Sequence, residues 1–123
     1  MMYVASPYTH RSSVVRQARY EKMLPILAEL ARKRIPCYSP IVHWHPVEVH
    51  CDLNLADHEL WKWSDIDMME LCTDGLFIKL EGWDQSRGMA HEEAFLRNAN
   101  KPVVWIYPEE LQDWIRRRLA DFG

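Results

Sequence analysis

Short apolar runs alternate with longer amphipathic stretches along the whole chain, and this alternation constrains the fold more than any other feature. The clearest runs are Met2–Ala5, Gly75–Leu80 and Pro102–Tyr107, and Ile35–Tyr38 is a shorter one. Strands that alternate with helices indicate a parallel sheet covered on both faces. We therefore predict one α/β domain over residues 1–123, doubly wound in the Rossmann or flavodoxin-like manner, with a parallel sheet of four to five strands.

The intervening segments have helical periodicity or none. Helices are expected over residues 13–34, 57–73, 88–98 and 109–119. In the first of these, a helical repeat is formed by Tyr20, Leu24, Leu27 and Ala31, with Leu30 beside them. Pro25 should bend or split this helix. Residues 41–56 have no clean period, so we expect a long connecting loop there, of the kind that often carries function.

The chain order of the strands locates the expected binding crevice. Right-handed crossovers give a four-stranded sheet the order 2-1-3-4, with the chain reversing between the first and third strands. Ligands bind outside the carboxyl ends of the strands at such a reversal. The two segments that meet there are Ser6–Arg11 and Glu81–Gly88, so we expect the site between them.

Composition limits the possible binding partners of the protein and its cellular compartment. The formal charge is −3, and the one block of like charges is Arg116–Arg118, which argues against a nucleic acid polymer as partner. A small anionic ligand remains compatible. The three cysteines are odd in number and lack a C-x-x-C spacing, as expected of reduced thiols. With no visible signal peptide or membrane span, we expect a soluble, cytoplasmic protein.

Glu92 is the strongest candidate for a catalytic residue. Helical spacing places it on one face with Gly88, Phe95 and Ala99, the face expected to pack on the sheet, whereas Glu93 lies on a different face. A carboxylate on an apolar face is costly unless it is paired or functional. The nearby helix N-terminus is expected to favour its ionised form, which suits a nucleophile. The alternative is a glutamate that merely complements the helix dipole.

Asp65 is a second inward-facing candidate. It shares a helical face with Trp61, Met69 and Cys72, at spacings of four, four and three residues. Asp67 lies on a face that combines polar and apolar residues and is expected to be more exposed to solvent. The alternative for Asp65 is a structural carboxylate hydrogen-bonded to a neighbouring loop.

Histidines and tryptophans allow further interpretations. Potential metal ligands cluster in the middle of the chain: His43, His45, His50, Cys51 and His58. None forms a repeated pair at zinc-site spacing, and Pro46 interrupts the local backbone, so we expect no metal. The histidines are expected to line a ligand pocket or to hydrogen-bond a loop. Trp61 and Trp63 are two apart on a helix and cannot face the same way, so one is expected to meet another subunit or the ligand.

Several local patterns occur together. They are Tyr3-Val4-Ala5-Ser6-Pro7-Tyr8, Ser39-Pro40-Ile41 with His43 and His45-Pro46, Trp61 with Asp65, Gly82-Trp83-Asp84-x-Ser86-x-Gly88-x-x-x-Glu92, and Lys101-Pro102-Val103. This combination resembles the nucleoside 2-deoxyribosyltransferase-like superfamily, most closely its small bacterial and phage members. The resemblance covers nearly the whole chain, and its most specific part is Ser86-x-Gly88-x-x-x-Glu92 after the third strand.

The resemblance implies a mechanism and a site. In the superfamily, the glutamate of this motif attacks the anomeric carbon and the serine helps to hold the substrate, which implies Glu92 as nucleophile. Asp65 would orient the sugar or protonate the departing base. Because the stretch from Asp65 to Asp74 is one residue longer than usual, Asp67 remains an alternative. We expect substrate contacts from Ser6, Tyr8, Arg11, His43, His45, Trp83, Ser86 and Gly88. Arg87 is an alternative to Arg11 at the 5′ end.

The expected function is cleavage of the N-glycosidic bond of a 2′-deoxynucleoside or its 5′-monophosphate, by hydrolysis or deoxyribosyl transfer. This N-glycosidase or deoxyribosyltransferase chemistry requires no cofactor. A homodimer is expected, since relatives complete their sites across subunits. Two alternatives stay open: a non-catalytic nucleotide-binding or sensing module that uses the same crevice, and a glycosidase that acts on another nucleotide such as a dinucleotide cofactor.

Overall fold

A four-stranded sheet, parallel throughout, forms the centre of the protein. The computed structural model describes residues 1–51, 53 and 58–122. The strands are β1 (Met2–Ala5), β2 (Cys37–Tyr38), β3 (Asp74–Ile78) and β4 (Val103–Ile106), in the order β2-β1-β3-β4. In register, Ala5 of β1 lies beside Phe77 of β3. The sheet order and the parallel pairing confirm the predicted doubly wound α/β fold.

Helices cover both faces of this sheet. Within the described ranges they are α1 (Ser13–Arg32), α2 (Pro40–Cys51), α3 (His58–Leu71), α4 (Arg87–Asn98) and α5 (Leu111–Phe122), with short 3-10 turns at Trp83–Gln85 and Pro108–Glu110. The hydroxyl groups of Ser12 and Ser86 cap α1 and α4 by accepting hydrogen bonds from backbone amides of the first turn. No helix in the described part of the chain is long and apolar enough to cross a membrane.

The core has two layers because alternate side chains of a strand point to opposite faces. Met2 and Val4 of β1 pack with α1 and α5, whereas Tyr3 and Ala5 pack with α3 and α4. All four are fully buried. Burying an apolar side chain completely contributes roughly 1.5–3 kcal/mol, so the two layers supply most of the driving force for folding. The layer around Tyr3 also contains the candidate catalytic residues.

One face of α1 packs against the sheet. Met23, Ile26 and Leu30 are buried, whereas Leu24 is 38% exposed and Ala31 is exposed. Of the residues that gave the helical periodicity, Leu30 is fully buried and Leu27 is partly buried against the same core. The helix continues through Pro25, which lies on its exposed side.

The long loop predicted over residues 41–56 is wrong in its first part, because α2 occupies residues 40–51. The Ser39 hydroxyl accepts a hydrogen bond from the Val42 amide at 3.2 Å, in the manner of a helix N-cap. Pro40 then takes the first helical position, where its missing N–H costs nothing. Residues 52 and 54–56 of the predicted loop, and the side chain of Trp61, lie outside the described part of the structure.

Candidate functional site

The two loops expected to form the crevice follow neighbouring strands, as predicted. Residues 6–11 leave β1 and residues 79–86 leave β3, and these strands are paired in the centre of the sheet. Ser6 is the first residue after β1 and is 5% exposed. Its hydroxyl oxygen is buried and has no hydrogen-bond partner among the described residues. A buried polar group without a partner is unusual in a folded protein and marks this position as a candidate ligand contact.

Glu92 reaches this region from α4. The hydroxyl group of Tyr3, a fully buried residue of β1, donates a hydrogen bond to Oε2 of Glu92. The predicted packing face of α4 is wrong by one position, because Met89 and Leu96 are buried against the sheet. Glu92 lies three residues after Met89 and four before Leu96, so it borders that face and still points towards the sheet.

The protonation of Glu92 is opposite to the sequence-based expectation. Burial raises the pKa of its carboxyl group to about 8, and the negative charge of Asp65 raises it further, while the hydrogen bond from Tyr3 lowers it. Desolvation therefore outweighs the helix N-terminus, whose effect is confined to the first turn. The sixth residue of α4 is too far along the helix to gain much from it.

Asp65 lies in the same layer, on α3. Met69 and Cys72, which share its helical face, are 4% and 2% exposed, whereas Asp67 is exposed. Burial raises the pKa of Asp65 to about 6. Its Oδ1 atom is buried and finds no hydrogen-bond partner in the described ranges. The structure thus places Asp65 inward and Asp67 outward.

Four side chains form one electrostatically coupled group, which we call the acid cluster: Tyr3, Tyr38, Asp65 and Glu92. Burial raises the pKa of Tyr38 to about 12, and the charges of Asp65 and Glu92 contribute. Burial and the same two carboxyl groups raise the pKa of Tyr3 well above its usual value. Both phenols therefore remain protonated donors at neutral pH. Between about pH 6 and pH 8, the two carboxyl groups together hold one proton.

The start of α4 brings Ser86 and Gly88 to Glu92. The Ser86 hydroxyl accepts a hydrogen bond from the Met89 amide at 3.2 Å, which leaves its own proton available for a ligand. A Cβ atom built on Gly88 would lie 3.9 Å from both Oε1 of Glu92 and Oγ of Ser86. Three residues of the predicted motif therefore converge on one point.

The remaining predicted contacts divide into two groups. The ring of His43 lies 5.5 Å from that of Tyr38, at the margin of the acid cluster. Trp83 packs against the layer that contains Tyr3. Arg11 and Arg87 are exposed, on the loop after β1 and at the first position of α4.

Tyr8 and His45 have other partners. The Tyr8 hydroxyl donates to Glu48 and lies 2.6 Å from Nδ1 of His45, and Nε2 of His45 lies 2.6 Å from Oε1 of Gln17. Gln17, His45 and Glu48 line a cavity of about 770 Å³ between α1 and α2. Burial lowers the pKa of His45. Residues two apart on a helix point in different directions, so His43 lies beside Tyr38 whereas His45 contacts Tyr8 and Gln17.

Tyr3 and Tyr38 are the site residues that sequence reasoning missed. Tyr3 belonged to a recognised pattern, but it was given no role. The alternation of side chains along Met2–Ala5 was the available signal, since it sends Tyr3 to the opposite face from Met2 and Val4. Within the part that the structure describes, no group of three or more histidine, cysteine or carboxylate side chains is arranged to hold a metal ion.

Comparison with known proteins gives a family but no activity. A family model described as "Domain of unknown function (DUF1937)" matches residues 1–108, so the chain belongs to that family. No curated protein matches the chain.

Proposed function

We propose that this member of the DUF1937 family cleaves the N-glycosidic bond of a 2′-deoxynucleoside or its 5′-monophosphate, with Glu92 as nucleophile. The observation that carries the proposal is the position of Glu92 at the sheet reversal, hydrogen-bonded by Tyr3 and coupled to Asp65. The resemblance of Ser86-x-Gly88-x-x-x-Glu92 to the nucleoside 2-deoxyribosyltransferase-like superfamily supports the same assignment.

The reaction needs one anionic carboxylate and one proton donor, and the acid cluster holds one proton for two carboxyl groups near neutral pH. Glu92 attacks the anomeric carbon and forms a glycosyl ester, while the N-glycosidic bond breaks and its electron pair stays on the base. Asp65 protonates the departing base. In the free protein the proton resides mainly on Glu92, so substrate binding must shift it to Asp65. Developing positive charge on the sugar favours that shift because it stabilises the Glu92 anion.

The second half of the reaction releases Glu92. Water or an acceptor base attacks the anomeric carbon and displaces the carboxylate, which gives hydrolysis or transfer respectively. The Asp65 carboxylate accepts the proton that the attacking group loses. The phenol of Tyr3 donates to Glu92 and fixes the orientation of the carboxyl group towards the sugar.

Substrate binding falls to the groups around this pair. Ser86 donates its hydroxyl proton to the sugar or the 5′ end, and Gly88 leaves room for the substrate beside Glu92. Ser6 adds a buried hydroxyl group without a protein partner among the described residues. Arg11 or Arg87 neutralises a 5′-phosphate when the substrate carries one. Tyr8 and His45 have no direct role in this proposal, since their side chains engage α1 and α2.

A chromatographic assay for free base tests the proposal. The protein is incubated with purine and pyrimidine 2′-deoxynucleosides and their monophosphates, with and without acceptor bases. Base release that is lost in Glu92→Gln and retained in Glu93→Gln supports the proposal; Glu93 is the matched control on the next position of α4. Nucleotide binding without base release would instead identify a non-catalytic sensing module.

The same proposal includes a homodimer in the cytoplasm. Trp63 is 68% exposed and Leu71 is 72% exposed, both on α3, and a second copy of the chain is the partner that we propose for this surface. Cys37, Cys51 and Cys72 are all free, as expected in a reducing compartment.

A further inference from the structure

Arg19 connects the two loops that border the crevice. Its Nη1 atom donates to the carbonyl oxygens of Tyr8 at 3.3 Å and Thr9 at 3.1 Å. Its Nη2 atom donates to the carbonyl oxygen of Glu81 at 3.5 Å. We call residues 6–11 the β1 loop and residues 79–86 the β3 loop. One side chain from α1 thus bonds to the backbone of both loops, which follow different strands.

Gly82 adapts the β3 loop to this arginine. Its φ angle is 92°, a left-handed conformation that favours glycine. A Cβ atom at this position would lie 2.5 Å from Nη2 of Arg19, closer than Cβ atoms in proteins come to other heavy atoms. The backbone of the β3 loop therefore approaches the guanidinium group as closely as it does because residue 82 has no side chain.

We propose that Arg19 is a positioning residue that sets the separation of the β1 and β3 loops, and with it the placement of the hydroxyl groups of Ser6 and Ser86 around the substrate. The planar guanidinium group presents several donors in a fixed geometry, so it defines a distance between its acceptors. This role rests on the proposed function, because it concerns the substrate of the same crevice.

The position of the acid cluster decides which kinetic parameter responds. Tyr3 lies on β1, Asp65 on α3 and Glu92 on α4, whereas the hydrogen bonds of Arg19 go to the backbone of the two loops. Loss of Arg19 should displace the binding loops and leave the reacting carboxyl groups in place. The expected consequence is a higher KM with kcat and its pH dependence little changed.

The kinetic test compares Arg19→Ala, Arg19→Lys and Arg32→Ala. Arg32 is the matched control, because it lies on the same helix and pairs at 3.1 Å with Glu29 of that helix. Misplacement of binding groups by about 1 Å costs up to about 100-fold, so KM should rise roughly 10- to 100-fold in Arg19→Ala. Lysine keeps the positive charge but lacks the planar set of donors of the guanidinium group. The KM of Arg19→Lys should therefore lie between those of the wild type and Arg19→Ala. An unchanged KM in Arg19→Ala, or an equal loss of kcat, would overturn the positioning role.

A second test does not depend on the reaction. Amide hydrogen exchange of the free protein should become faster in both loops together in Arg19→Ala and stay unchanged in Arg32→Ala. Gly82→Ala should accelerate exchange in the same loops, and its effect should shrink in the Arg19→Ala background because the clash is gone. Additive effects, or acceleration in one loop only, would refute the connection. If the loops respond as expected while no substrate is turned over, the proposed function is wrong and the connection itself stands.

Discussion

Replacing Glu92 by Gln should stabilise the protein at neutral and alkaline pH. The folded protein holds a carboxyl group whose pKa burial raises from 4.5 to about 8. As pH rises through this window, the unfolded chain releases the proton while the folded chain retains it. Stability therefore falls with increasing pH, and the contribution of protonated Glu92 is complete below pH 4.5 and lost above pH 8.

The magnitude follows from the size of the shift. One pKa unit corresponds to about 1.36 kcal/mol, so the raised pKa of Glu92 lowers the free energy of unfolding, relative to its value at acidic pH, by about 3 kcal/mol at pH 7 and about 5 kcal/mol at pH 9. Glutamine is neutral at every pH and still accepts the hydrogen bond from Tyr3 through its amide oxygen. Glu92→Gln should therefore match the wild type near pH 4.5 and exceed its free energy of unfolding by these amounts at higher pH.

Urea unfolding between pH 5 and pH 9 measures the effect. The matched control is Glu93→Gln, which makes the same substitution one residue further along α4. Its carboxylate pairs with Arg97 at 3.2 Å, so this variant should be less stable than the wild type. A stability difference between Glu92→Gln and the wild type that does not grow with pH would refute the assignment of Glu92 as a buried, desolvated carboxyl group.

Three further predictions concern the crevice and the assembly. The pH profile of kcat/KM should be bell-shaped, with limbs near pH 6 and pH 8, and Asp65→Asn should leave a profile with a single ionisation. If Asp67→Asn abolished the bell shape instead, Asp67 and not Asp65 would be the proton donor. Gly88→Ala should fold normally, since its Cβ meets ordinary contact distances, yet raise KM about tenfold in steady-state assays by filling the space beside Glu92; an unchanged KM would contradict that placement. Sedimentation should show a dimer that Trp63→Glu dissociates, and a monomeric wild type at micromolar concentration would refute it.

The fold was predictable because its signals are local and repeated. Apolar runs at Met2–Ala5 and Gly75–Leu80 identify buried strands, and the handedness of crossovers then fixes the sheet order. Asp65 was also placed correctly, since Met69 and Cys72 define an apolar stripe at helical spacing. These inferences needed no knowledge of which distant residues meet.

The helix at residues 40–51 was missed because its inward positions are not uniformly apolar. Ile41 and His45 are both buried and four residues apart, but a histidine counts as polar in a hydrophobic pattern. Ser39-Pro40 was the local signal for a helix start. Because this segment is a helix, His43 and His45 point in different directions. Tyr8 then contacts His45, and His45 contacts Gln17 of α1, so neither belongs to the acid cluster.

The protonation of Glu92 was beyond sequence reasoning for a different reason. Burial and the charge of Asp65 raise the pKa of Glu92, and the hydrogen bond from Tyr3, 89 residues away in the chain, lowers it only in part. The local sequence indicated only the helix N-terminus, which lowers the pKa of a nearby carboxyl group and has a smaller effect than burial. The resulting order, with Glu92 the weaker acid of the pair, follows from tertiary packing alone.

The measurement that tests the central claim most directly is detection of a glycosyl ester on Glu92. The protein is mixed with a 2′-deoxynucleoside monophosphate that it cleaves, quenched in acid within the first turnovers, and analysed by intact and peptide mass spectrometry. The account predicts a 2′-deoxyribosyl adduct, with or without its 5′-phosphate, on the peptide that contains Glu92, and no adduct in Glu92→Gln. Base release by the wild type without any adduct, or an adduct on Glu93 or Asp65, would contradict Glu92 as the nucleophile.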